Sequence, residues 1–331
     1  MITIRRAVCE DIPNIMKFMD EHWKPGNILA QNRNFFDWQF VEDDDSVNMW
    51  IGIDEEDGKI YGMVGAIVYS RSANPDVSVC TWQVIKSVNP MLGMELQQYM
   101  YKQLQPRYSY AIGLSKKAMK INSLLGYTPT EMEHYYRLND CENYNIAIVK
   151  NKVIPAVKDM GYSLQCITSV EQMKQIVPEE QLRERVMSKD YHYIEKRYFK
   201  HPIYHYDIWK IVDDCGKSTA VLVTRTEKAE NSRMCKIIDY YGDISQLSRI
   251  TSALDRLMKQ ENYEYIDVYS CGVPKEIYEQ AGFLACDRSC ENIIPNYFHP
   301  FIQKNITLRT LETDYPDFRM FRGDGDQDRP C

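Results

Sequence analysis

The stretch VNPMLGMELQQYM, Val88 to Met100, reads as the end of a strand, a short loop and the opening turns of a helix. Such a junction can bind anions. The first amides of a helix lack intrahelical acceptors, and the helix dipole sets partial positive charge beside them. Loops that cradle phosphates usually carry two or three glycines, whereas this one has Gly93 alone, and Pro90 contributes no N–H. Two readings stay open: a coenzyme or nucleotide loop built from few amides, or a turn before a surface helix.

Other chemistry-bearing runs are weaker. FRGDGDQDRPC, Phe321 to Cys331, alternates Asp324, Asp326 and Asp328 as calcium loops do, yet it has no later bidentate glutamate, so no metal is expected. The run is expected to be either a disordered tail or an arm carrying Asp328 and Arg329 into a cleft. EKRYFKHP, Glu195 to Pro202, alternates basic and aromatic residues and reads as a solvated helix end. The 10 cysteines show no zinc spacing and read as reduced thiols.

The elements that must position these residues fall in two copies. The 331 residues, 44% of them hydrophobic, can bury two cores. WIGIDEEDGKIYGMVGAIVYSR from Trp50 and WKIVDDCGKSTAVLVTR from Trp209 both read as β-hairpins with Gly-Lys in the turn. Each is followed by a strand and by an amphipathic helix, with Leu92, Leu96, Tyr99, Met100 and Leu104 on one face in the first copy, and Leu247, Ile250, Leu254, Leu257 and Met258 in the second. Another strand and a short helix ending in Gly126-Tyr127 or Gly282-Phe283 close each copy, at a spacing of about 156 to 159 residues. The expectation is an N-terminal domain over 1–140, a connector over 141–161 and a C-terminal domain over 162–331. Each is a mixed, mostly antiparallel sheet flanked by helices, in the α/β class with α+β-like mixed sheets.

A net charge of -7 argues against a general nucleic-acid surface. Charge at Arg5 and Arg6, and the lack of a long apolar run, point to a cytoplasmic protein without membrane insertion.

This element order, together with YEQAGF (Tyr278 to Phe283) and VNPMLGMEL, resembles the GNAT superfamily of acyl-CoA-dependent transferases. WKPGNILA (Trp23 to Ala30) and GDGDQDRP (Gly323 to Pro330) further resemble tandem members encoded with bacterial O-antigen and capsule pathways. The resemblance implies an acetyl-CoA or related acyl-CoA co-substrate on the first copy, held by Asn89, Leu92, Gly93 and Met94, with strand amides near Val84 polarising the thioester. In the second copy Asp243 stands where the pyrophosphate would lie and implies no coenzyme there.

The family's general-acid tyrosine is matched by Tyr278 in the second copy and by Asn122 in the first, so the better loop and the better acid fall in different copies. His134, with Glu133 or Tyr135, is expected to face the acceptor or to be a hydrogen-bonded strand histidine. His22, Trp23, Asp328 and Arg329 are the further acceptor candidates. The implied function is acyl transfer to the amino group of a sugar or nucleotide sugar of a surface polysaccharide. The alternatives are an inactive tandem-GNAT scaffold or sensor, or a Fem-like transferase using aminoacyl-tRNA.

Overall fold

Both hairpins form where the apolar runs and glycine turns place them. The computed structural model describes residues 1–85, 89–311, 318–325 and 328–330; Val88 and Asp326 lie outside them. The chain divides into two compact units, Met1–Ile112 joined by Arg329 and Pro330, and Gly113–Asp328.

In the first unit, strands β1 (Ile2–Arg6), β2 (Met49–Asp54), β3 (Lys59–Val68), β4 (Asp76–Val84) and β5 (Tyr108–Tyr110) lie in that order, antiparallel except for the parallel β4–β5 pair. Helices α1 (Ile12–Phe18) and α2 (Arg33–Phe40) bury Ile12, Ile15, Phe35, Phe36 and Phe40 against Met49, Ile51 and Met63 of the sheet. Each such side chain contributes about 1.5–3 kcal/mol by leaving water. Asn32 caps α2 by accepting from the Phe35 amide at 3.0 Å. Helix α3 (Leu92–Leu104) buries Leu92, Leu96 and Met100 at four-residue spacing, as its apolar stripe predicts.

The second unit holds helix α4 (Lys116–Leu124) and strands β6 (Glu133–Leu138), β7 (Ser163–Ile167), β8 (Asp207–Val212), β9 (Ser218–Ala229) and β10 (Ser232–Gly242). Helix α5 (Thr251–Glu261), β11 (Tyr263–Cys271), helix α6 (Lys275–Gln280), β12 (Leu284–Ala285) and β13 (Met320–Phe321) follow. Its sheet runs β12-β6-β11-β10-β9-β8-β7, with β13 on the end of β11 and with β10–β11 parallel. The sequence pattern put the first boundary near residue 140. The unit boundary lies instead at Ile112, because β6 pairs antiparallel with β11, His134 opposite Tyr269, and belongs to this sheet.

The helix expected from Leu247 to Met258 is also divided. Ile244–Arg249 is a 3-10 segment, and α5 starts only at Thr251. No helix among the described residues is long and apolar enough to cross a membrane.

One face of the second sheet is apolar, with Leu222, Cys235, Ile237 and Ile266 packed on Leu254 and Met258. The other face is charged. Ile238 is an extra residue opposite the Val223–Thr224 step of β9. This bulge reverses the alternation and brings Asp239 to the same side as Lys236. Both are fully buried.

Candidate coenzyme site and its counterpart

In the first unit, β4 and β5 are paired only over Asp76–Ser78 and Tyr108–Tyr110. The rest of β4 continues past the end of β5 toward the loop before α3. At Thr81–Trp82 the register on β3 shifts, and Thr81 sits at φ 48°. A positive φ at a β-branched residue marks local strain. Thr81 is buried, so the core holds this bulge in place. Trp82, next to it, donates its indole N–H to the Gly93 carbonyl at 3.1 Å and thereby ties the bulge to the first turn of α3.

That turn is partly closed by its own sequence. The Asn89 side-chain oxygen accepts from the Met91 amide at 2.9 Å, and its main-chain carbonyl accepts from Leu92 at 3.2 Å. Asn89 Nδ2 reaches Glu95 at 3.0 Å, and the Met94 amide turns back to Met91. Gly93 N–H is the amide of this turn without a partner among the described residues. A Cβ at Gly93 would meet the Trp82 ring at 3.2 Å, so any side chain there crowds the indole. Val84, the expected carbonyl-polarising position, is the last residue of β4 and stands opposite Gly62. The bulge at Thr81–Trp82 is the feature that the sequence reading missed.

Trp23 and Arg329, far apart in sequence, come together in this unit with the guanidinium 4.9 Å from the indole ring. His22 is about two-fifths exposed, with its ring 5.0 Å from Phe18.

In the second unit the corresponding strands also diverge. The β10–β11 ladder ends at Ile237–Val268, just before the bulge. Here the protein's own chain enters the gap. Met320 and Phe321 pair with Cys271 and Ser270, the Arg322 amide donates to the Tyr269 carbonyl at 3.1 Å, and the Gly323 amide donates to the Ile238 carbonyl at 2.9 Å. The arm thus hydrogen-bonds both strands. Gly272, at φ +73°, has the Phe318 carbonyl 1.9 Å from where a Cβ would sit. We expect Gly272→Ala to lower stability by about 1–3 kcal/mol, read as an earlier denaturant midpoint. Asp243 caps the following 3-10 segment by accepting from the Ser245 amide at 2.9 Å.

The remaining candidates fall in this unit and are mostly occupied. Tyr278 is fully buried, hydrogen-bonded to Ser270 at 2.8 Å and stacked on Tyr135 at 4.4 Å. Burial pushes its phenol well up, and that of Tyr135 to about 12. Asn122 donates its side-chain amide to Ala118, one turn back, at 2.9 Å. His134 is buried, 3.1 Å from Asp267 and stacked on Tyr269 at 4.0 Å; burial draws its pKa down against the pull of Asp267. This arrangement matches the hydrogen-bonded strand histidine. Glu133 is exposed at the start of β6, and partial desolvation by its neighbours raises its carboxyl pKa. Asp328 is fully buried, 2.5 Å from Arg225 and 2.7 Å from the Tyr206 hydroxyl.

The nine cysteines among the described residues are free thiols. Among those residues, Asp213, Asp214 and Cys215 in the β8–β9 turn form the one group close enough to share an ion.

No family model and no curated protein matches the sequence. Solved structures do match its backbone. A GCN5-related N-acetyltransferase of Anabaena variabilis aligns at TM-score 0.59 and 8% identity over 94% of this chain and 72% of its own. An Enterococcus faecalis protein described as a probable N-acyltransferase aligns at 0.56 and 9%, over 93% and 72%. A putative acetyltransferase of Pyrococcus horikoshii aligns at 0.50 and 10%, over 98% and 94%. The fold is that of the GCN5-related N-acetyltransferases.

Proposed function

We propose that this protein is an acyl-CoA-dependent N-acyltransferase, most simply an acetyltransferase, whose first unit binds the coenzyme. The observation that carries this reading is the junction of β4 and α3. A strained bulge is fixed by Trp82 to a helix start whose Gly93 amide remains a donor. The residues fit a diphosphate modestly, through one amide and the helix dipole rather than a nest of amides. When bound, acyl-CoA supplies the thioester. A neutral acceptor amine then attacks the carbonyl carbon, the C–N bond forms as the C–S bond breaks, and the amine's proton leaves to water. Tyr278 and Asn122 are engaged within the second unit, so the thiolate is protonated by solvent in this reading.

The acceptor in this reading is an amino sugar or nucleotide sugar of surface polysaccharide, which rests on the sequence resemblance. Trp23 with Arg329 is the acceptor-side pair we favour, because a guanidinium on an indole offers a donor edge beside an apolar face.

Calorimetric titration with acetyl-CoA is expected to give one coenzyme per chain, because the gap in the second unit holds residues 320–323. Two sites per chain would contradict the reading of the second unit. No binding by any acyl-CoA would leave the scaffold reading, which the Asn89 cap favours, in its place.

A further inference from the structure

Lys236 of β10 is fully buried on the charged face of the second sheet, yet it forms no ion pair with a carboxylate among the described residues. Its ammonium donates to the Asn296 carbonyl at 2.8 Å and stands 4.8 Å from the Phe298 ring centre. Arg322, just past β13, brings Nη2 to the same carbonyl at 3.5 Å. Asn296 and Arg322 are 1% and 4% exposed, but Asn296 Nδ2 and Arg322 Nη1 have no hydrogen-bond partner among the described residues. Two cations and an amide therefore converge on one main-chain oxygen, with more donors than acceptors.

The carboxylates of this face are committed elsewhere. Asp267 is bonded to His134 at 3.1 Å, and Glu227 pairs with Arg225 at 2.6 Å. Asp328 is shared among Arg225, Arg197 and Arg322, while Asp239 and Asp324 face Lys189. Burial, with Arg322 close by, draws the Lys236 pKa down to about 7, which is the behaviour of an ammonium short of countercharge.

We infer that Lys236, Arg322 and Asn296 hold a small monovalent anion of the halide class, chloride in a chloride medium. Buried donors without acceptors cost free energy, and charged ones cost more. Loss of the Lys236 proton would not remove that cost, because an arginine stays charged and an amide keeps its N–H groups. Water can accept from two of these donors but brings no countercharge. Burial also selects the ion, since a second charge, as on phosphate, would cost more to desolvate. The site lies in the second unit and stands whether or not the first unit transfers an acyl group.

The test is thermal unfolding of the full chain in sodium gluconate, with chloride substituted at fixed ionic strength. A saturable rise of about 2–4 °C in Tm is expected, because an ion bound only by the folded state stabilises it. Crystals grown in bromide should show an anomalous peak within hydrogen-bonding distance of Lys236 Nζ and Arg322 Nη1. Asn296→Asp sets a carboxylate beside both cations and should abolish the chloride response by supplying the charge from within; Arg322→Met should abolish it by removing a donor. Either buried variant can fail to fold, so the two measurements on the unaltered protein carry the test. No chloride response, water where bromide is expected, or a response unchanged in either folded variant would overturn the inference. A bromide peak without a chloride response would mark an adventitious ion only and would overturn it as well.

Discussion

Asp328→Ala is expected to cost about 3–5 kcal/mol of folding stability, the range for removing one member of a buried ion pair. The carboxylate is fully buried, with one oxygen 2.5 Å from Arg225 and 3.5 Å from Arg322, and the other accepting from the Tyr206 hydroxyl. Alanine would leave Arg225 and Arg322 in a low-dielectric site without that countercharge. Denaturant unfolding would show it directly; a loss below about 1 kcal/mol, the scale of an exposed pair, would mean that the cluster relaxes or hydrates.

The same group predicts a pH dependence. Burial raises the Asp328 carboxyl pKa, but Arg225, Arg197 and Arg322 outweigh it and hold the group well below the usual carboxylate range. The folded form therefore takes up a proton less readily than the unfolded chain, whose pKa is about 3.9. The stabilisation is complete above that value and is lost as pH falls through it toward the folded pKa. Asp328→Asn should flatten the acid limb of the stability profile in that window.

Gly93→Glu is expected to reduce acyl-CoA affinity about a hundredfold or more, equivalent to about 2.7 kcal/mol. Two effects act together. The side chain must displace the Trp82 ring, which lies 3.2 Å from the Cβ position, and its charge then stands beside the diphosphate at the Gly93 amide, which has no partner among the described residues. Gly93→Ala separates packing from charge. It needs a shift of a few tenths of an ångström in the indole and should lose stability with little loss of affinity. Calorimetry on both variants decides the matter, and a folded Gly93→Glu protein with unchanged affinity would remove the site from this loop.

The local parts of this fold were legible because their signals are local. Glycine turns at Gly58 and Gly216, both at positive φ, and the Leu92-Leu96-Met100 stripe needed only neighbours in sequence. The placement of β6 was not legible. Its apolar pattern fits any sheet edge, and the pairing of His134 with Tyr269 spans most of the second unit. The terminal arm was half legible for a related reason: its glycines and aspartates allowed either a disordered tail or an arm reaching a cleft, and only the arginines on β9 and beyond β13 reveal where Asp328 is held.

A signal was available in those strands. Lys236 and Asp239 interrupt an otherwise apolar run, and charges inside a buried strand imply partners from elsewhere in the chain. The Thr81–Trp82 bulge had a fainter one, a threonine and a tryptophan breaking the apolar alternation of β4. The pairing of Trp23 with Arg329 had none, since nothing in either neighbourhood points to the other.

The segment that completes the second sheet follows all the other strands of that sheet in chain order. Once residue 271 has been translated, Ile238 and Tyr269 both exist, but the amides of Arg322 and Gly323 that join their strands do not. The first unit's sheet needs only residues up to Tyr110 and can form early, as N-terminal domains generally do. A nascent chain halted before Met320 should therefore carry a protease-resistant amino half and a cleavable remainder, which makes this step the point where chaperones have the longest access.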